Sequence, residues 1–76
     1  MIIGPDAAVP VLQAGGYLQR KDERISARRC AKPTTRLYDA KGNDLGVANY
    51  ARKRLQQMCK IIEIKGPQGE QRWILK

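Results

Sequence analysis

The sequence predicts a small α+β domain: two β-hairpins with a short helix between them. Two runs rich in β-branched and aromatic residues turn back across Gly-containing breaks, an apolar stripe at helical spacing lies between them, and 76 residues allow one core. A chain this short buries only about 60% of its unfolded surface, so a second core is excluded. Phe is absent and Trp73 is the single Trp, which makes Trp73 the expected core anchor.

Residues 1–18 read as an apolar N-terminal arm preceding a small basic α+β domain at 19–76, with Asp6 as the arm's one charged side chain. Pro5, Pro10, Gly15 and Gly16 restrict it to an extended arm or a short additional N-terminal helix capped by Asp6. Such a segment either covers the core or orders on a partner.

From Arg20 the composition changes: Arg20, Lys21, Arg24, Arg28, Arg29, Lys32 and Arg36 face only Asp22 and Glu23. Leu18 and Ile25 are seven apart, a spacing that predicts a thin-striped helix from about Tyr17 to Cys30, stopped before Pro33.

Thr34 to Tyr38 has strand character, and Asp39-Ala40-Lys41-Gly42 reads as a turn in which Asp39 bonds locally and Gly42 takes a left-handed conformation. Asn43 to Val47 is the returning strand. A helix then runs to Met58 with Asn49 as its expected N-cap. Val47, Ala51, Leu55 and Met58 form its buried stripe, while Arg52, Lys53 and Arg54 spread over the flanks and exposed face. Ile61 to Ile64 and Arg72 to Leu75 form a second hairpin across Gly66-Pro67-Gln68-Gly69, with Pro67 at the first central turn position. Tyr38 and Tyr50 are expected to be half buried, leaving little aromatic surface for stacking single-stranded bases.

Fifteen Lys or Arg against seven Asp or Glu give a formal charge of +8, with every basic residue at or beyond position 20. A field of that sign draws polyanions or an acidic protein before any specific contact forms. Enzymatic chemistry is not expected: the chain has no His, and its acids sit at turns and strands. No phosphate-cradling loop, nucleophile elbow, dinucleotide fingerprint or calcium loop occurs. No catalytic, cofactor or metal site is expected, because Cys30 and Cys59 without His make a poor zinc set. A single disulfide is arithmetically possible. Two small buried thiols of a cytoplasmic protein are the stronger expectation, because no secretory apolar region follows Met1. No apolar run approaches the roughly 20 residues that span a bilayer.

Glu23 to Arg29, followed by Thr35 to Val47, resembles the N-terminal domain of bacterial translation initiation factor 3. The likeness lies in a segment of the form I-R-A-R, here Ile25-Ser26-Ala27-Arg28, and in Arg36-Leu37-Tyr38-Asp39-Ala40-Lys41-Gly42-Asn43-Asp44-Leu45-Gly46-Val47. Lys60-Ile61-Ile62-Glu63-Ile64 is similar to the family's following strand, so the likeness covers residues 23–64. It implies a small α+β domain that associates with the small ribosomal subunit, with Arg28 and Arg36 facing RNA and Gly42 and Gly46 supporting the hairpin.

The expected function is a non-catalytic basic module that binds structured RNA or DNA, or a ribonucleoprotein such as the ribosome. Arg20, Lys21, Arg24, Arg28, Arg29, Lys32, Arg36, Arg52, Lys53 and Arg54 are its candidate contact residues. The alternative is a small accessory or phage-like protein that binds and modulates an acidic protein partner. A winged-helix-like DNA binder, with the helix in a groove and the 61–75 hairpin as wing, is a lesser alternative.

Overall fold

Two helices lie against one face of a five-stranded antiparallel sheet, the α+β class expected, in a computed structural model that describes residues 3–21, 24–26, 29–30 and 34–76; of 24–26 and 29–30 it describes the backbone. The elements are α1 (Pro5–Gln13), β1 (Tyr17–Lys21), β2 (Arg24–Ser26), β3 (Arg29–Cys30), β4 (Thr34–Tyr38), β5 (Asp44–Val47), α2 (Asn49–Gln57), β6 (Ile61–Lys65) and β7 (Gln71–Leu75). The main sheet has the order β5-β4-β1-β7-β6, and β2 pairs separately with β3.

Pro5 occupies the first turn of α1, where a missing N–H costs nothing, and Asp6 lies in the same turn beside the positive end of the dipole. The N-cap is Gly4 rather than Asp6, and the helix continues through Pro10 for nine residues, longer than the single turn the prolines led us to expect. Burial of Ala8 and Leu12 in the core offsets the hydrogen bond lost at Pro10. Gly16 then lets the chain pass close under β4: a Cβ there would stand 2.5 Å from the Tyr38 carbonyl oxygen.

The helix expected over 17–30 is a correction. Every described residue from 17 to 21 lies in β1, which pairs with β4 on one side and β7 on the other. Leu18 faces Leu37 and Trp73, so alternation across the sheet buries it. These partners are remote in sequence, and a local helical spacing carries no trace of them.

The later elements match their sequence signals closely. Asp39 Oδ1 accepts from the amides of Lys41 and Asn43, both at 2.9 Å, and Gly42 has φ 87°, which closes β4 onto β5. Gly69 N–H donates to Gly66 O at 3.0 Å, the turn that joins β6 to β7. Within α2, Ala51 and Leu55 are buried as expected, whereas Met58 is exposed and Val47 belongs to β5.

The Asn49 cap is also a correction: Ala48 is the N-cap, and Asn49 Oδ1 accepts from Thr35 N–H at 2.6 Å. A bond to the neighbouring strand outweighs a local one here, because it satisfies the part-buried Thr35 amide. Cys59, expected as a buried thiol, is exposed and free. It terminates α2 at φ 56°, its N–H donating to Gln56 O and that of Lys60 to Leu55 O.

Trp73 is buried as the anchor, within a core of Ala8, Leu12, Leu18, Leu37, Ala48, Ala51, Leu55 and Ile61. Among the described residues no helix is long and apolar enough to cross a membrane.

Candidate nucleic-acid interface

β1 ends at Lys21 and β4 begins opposite it at Thr34, whose hydroxyl donates to Lys21 O at 3.3 Å. The described residues between them form the β2–β3 pair, with Arg24 opposite Cys30 and Ser26 opposite Arg29. Lys21, Arg24 and Arg29 therefore belong to one excursion from one end of the sheet. Arg28 and Lys32 lie outside the described residues. A two-stranded antiparallel ribbon is one of the few backbone shapes that fits a nucleic-acid groove.

The base of this excursion adjoins α2. Thr35, next to the Lys21–Thr34 pair, receives Ala48 N–H on its carbonyl at 2.7 Å and gives its own N–H to Asn49. Helix α2 thus starts at the pole from which the ribbon leaves, and at about 1.5 Å per residue Lys53 and Arg54 stand roughly 6 to 8 Å along it. The start of the basic helix thus adjoins the base of the ribbon, and its cations follow along the helix.

Asn49, Tyr50, Arg52, Lys53, Arg54 and Gln57 form a broad, open surface on the outer side of α2. No acidic residue lies on this helix. Tyr50 is 49% exposed, about half buried as expected, while Ala51 and Leu55 take the inward positions. Arg52 lies on the flank of α2, partly buried. Its guanidinium lies 5.1 Å from the Trp73 ring centroid and donates from Nη1 to Gln56 Oε1 at 2.7 Å. Spreading a planar cation over the core indole covers apolar surface and gains cation–π attraction.

Arg20 and Arg36 are engaged within the sheet. Arg20 Nη1 donates to Gln71 Oε1 at 3.0 Å, and Gln71 Nε2 donates to Glu63 Oε1 at 3.0 Å, a polar line across β1, β7 and β6. Arg36 pairs with Asp44 at 3.3 Å on the uncovered face. Both can still meet a polyanion, but each also fastens strands to one another.

Sequence reasoning missed the centre of that uncovered face. Tyr17 and Tyr38 stack with centroids 5.3 Å apart, and Arg72 lies 4.3 Å over Tyr17 while donating to Gln19 Oε1 at 3.0 Å and pairing with Glu70 at 3.3 Å. Burial, and next the Asp44 carboxylate, push the Tyr38 hydroxyl above the ordinary phenol value. The available signal was period-two alternation in Tyr17-Leu18-Gln19, concealed by the helical reading of that stretch.

Comparison with protein-family models, curated proteins and solved structures returns no match.

Proposed function

We propose that the chain is a non-catalytic basic module that binds structured nucleic acid or a ribonucleoprotein such as the ribosome. The observation that carries this reading is the Thr35–Asn49 junction, which joins the base of the basic ribbon to the start of an acid-free basic helix. Lys and Arg on two elements joined at this junction supply phosphate contacts over a wide arc. The resemblance of residues 23–64 to the initiation-factor domain supports the ribonucleoprotein form.

The test is binding of a labelled RNA stem-loop at two salt concentrations. If about six or more phosphates are contacted, affinity falls roughly 10³-fold or more between about 50 and 200 mM salt. Neutralising Arg24, Arg28 and Arg29 together flattens that dependence without moving the unfolding midpoint. A salt-insensitive complex, or no complex at low salt, refutes the reading.

The alternative, docking on an acidic protein partner, is favoured by one feature: Ile62 and Ile74 pair on the uncovered face beside Ile64, an apolar ridge next to the cations. Native capture with and without nuclease separates the two. Recovery abolished by nuclease supports nucleic acid, and a stoichiometric protein retained after nuclease supports the alternative.

A further inference from the structure

We infer that the outer face of α2 receives an unpaired nucleotide, Tyr50 stacking on its base while Lys53 and Arg54 hold the adjoining phosphates. The inference rests on the nucleic-acid reading and names the form of ligand that this face takes.

The aromatic side chains differ in what they have left to offer. Trp73 is buried under Arg52. Tyr17 is covered on one side by Arg72 and on the other by Tyr38, so neither of its ring faces is open to a base. Tyr50 is 49% exposed and, among the described residues, makes no ring or cation–π contact. Tyr38 gives one ring face to Tyr17 and is less exposed, so Tyr50 is the most exposed aromatic side chain.

Its neighbours supply the rest of the site. Lys53 and Arg54 follow Tyr50 by three and four residues, the spacings that bring side chains together on a helix surface. Asn49, whose Oδ1 accepts from Thr35, and Gln57 lie on the same face.

Charge alone would serve a duplex or an acidic peptide equally well. The ring decides between them: bases in a duplex already have both π-faces stacked, whereas an unpaired base gains by covering an exposed tyrosine. The absence of acid from α2 removes the repulsion that would otherwise oppose the strand's backbone.

The experiment compares a single-stranded RNA of about 12 nucleotides, a length that a small domain covers, with the blunt RNA duplex of the same sequence. Tyr50→Ala weakens the single strand by roughly 5- to 150-fold, the loss expected for one base stack, and changes duplex affinity by less than about twofold. Tyr50→Phe retains single-strand affinity. Lys53→Ala with Arg54→Ala weakens both probes, and Tyr50→Trp gives a new exposed fluorophore that the single strand quenches. Unchanged single-strand affinity in Tyr50→Ala, equal losses on both probes, or an unquenched Tyr50→Trp overturns the inference alone. Wild-type protein that binds neither probe overturns this inference and the nucleic-acid reading together.

Discussion

On the helix-covered face Leu18 sits between Leu37 and Trp73, whereas one residue earlier, on the uncovered face, Tyr17 sits between Tyr38 and Arg72. The same three strands support both rows. Burying a side chain such as Leu18 contributes about 1.5 to 3 kcal/mol. A partly exposed cation–π contact contributes about 0.5 to 2 kcal/mol, and an exposed ion pair such as Arg36–Asp44 less than about 1. The covered face therefore decides whether the chain folds. The uncovered face trims the result and uses cations to do it.

That difference changes how the charge of +8 is read. Arg72 and Arg36 hold the uncovered face together, and Arg52 lies over Trp73. Lys53 and Arg54 stand on an acid-free helix. Counting cations in the sequence mixes these roles. Position in the sheet and on α2 separates them.

The largest expected effect breaks or sustains the contrast between faces. Leu18→Ala or Leu55→Ala costs about 2 to 5 kcal/mol, since each leaves a void in a fully packed site. Ile62→Ala, on the uncovered face of edge strand β6 and 40% exposed, costs about 1 kcal/mol or less. Denaturant melts decide it, and equal costs would show that the uncovered face is a second core.

Next in size is the sorting of cations. Arg72→Ala loses the Tyr17 contact, the Gln19 hydrogen bond and the Glu70 pair, a change of about 1 to 2 kcal/mol. Lys53→Ala stays within about 0.5 kcal/mol of wild type. In RNA titrations the order inverts, with Lys53→Ala weakening binding more than Arg72→Lys. A Lys53 variant that loses stability as Arg72→Ala does would refute the division.

The legible half of the fold was the half with local punctuation. Asp39 with Gly42, and Gly66 through Gly69, are turn signals that need no distant partner to be read. Residues 17–21 had none: their strand state follows from pairing with β4 and β7, and Arg20 in the inward register spoiled the apolar alternation. The basic residues of the site could be listed from composition, yet their convergence depends on Thr35 meeting Asn49. Asn49 was readable as a cap because it precedes an apolar stripe. Its actual bond is tertiary.

A smaller effect tests how firmly α2 is held to the covered face. Cys59 adopts φ 56°, a left-handed conformation that costs a side-chain-bearing residue about 1 to 2 kcal/mol relative to its ordinary state. Glycine removes that strain but loses more backbone entropy on folding, so Cys59→Gly should gain about 0.5 to 1 kcal/mol. A higher midpoint with unchanged RNA affinity is expected. A loss of stability would mean that the Cys59 side chain contributes packing at the end of α2.

The smallest expected effect lies in acid and again separates the two faces, because the buried apolar core has nothing to titrate while the β4–β5 turn does. Hydrogen bonds from the Asn43 backbone and then its side chain, with a further one from the Lys41 backbone, hold the Asp39 carboxyl below its usual range. With its folded value depressed, Asp39 contributes stability that is fully present above the ordinary Asp value. That contribution fades as pH falls through the lower folded value. Asp39→Asn keeps an oxygen to accept the two amides but carries no charge to be lost. Wild type should therefore be the more stable at neutral pH, and its margin over Asp39→Asn should shrink as pH drops below about 4, the free-Asp range. Melts of both proteins across that interval measure the margin directly. A margin that stays constant with pH would assign the turn's stability to its hydrogen-bond geometry alone and leave the carboxylate charge without a role.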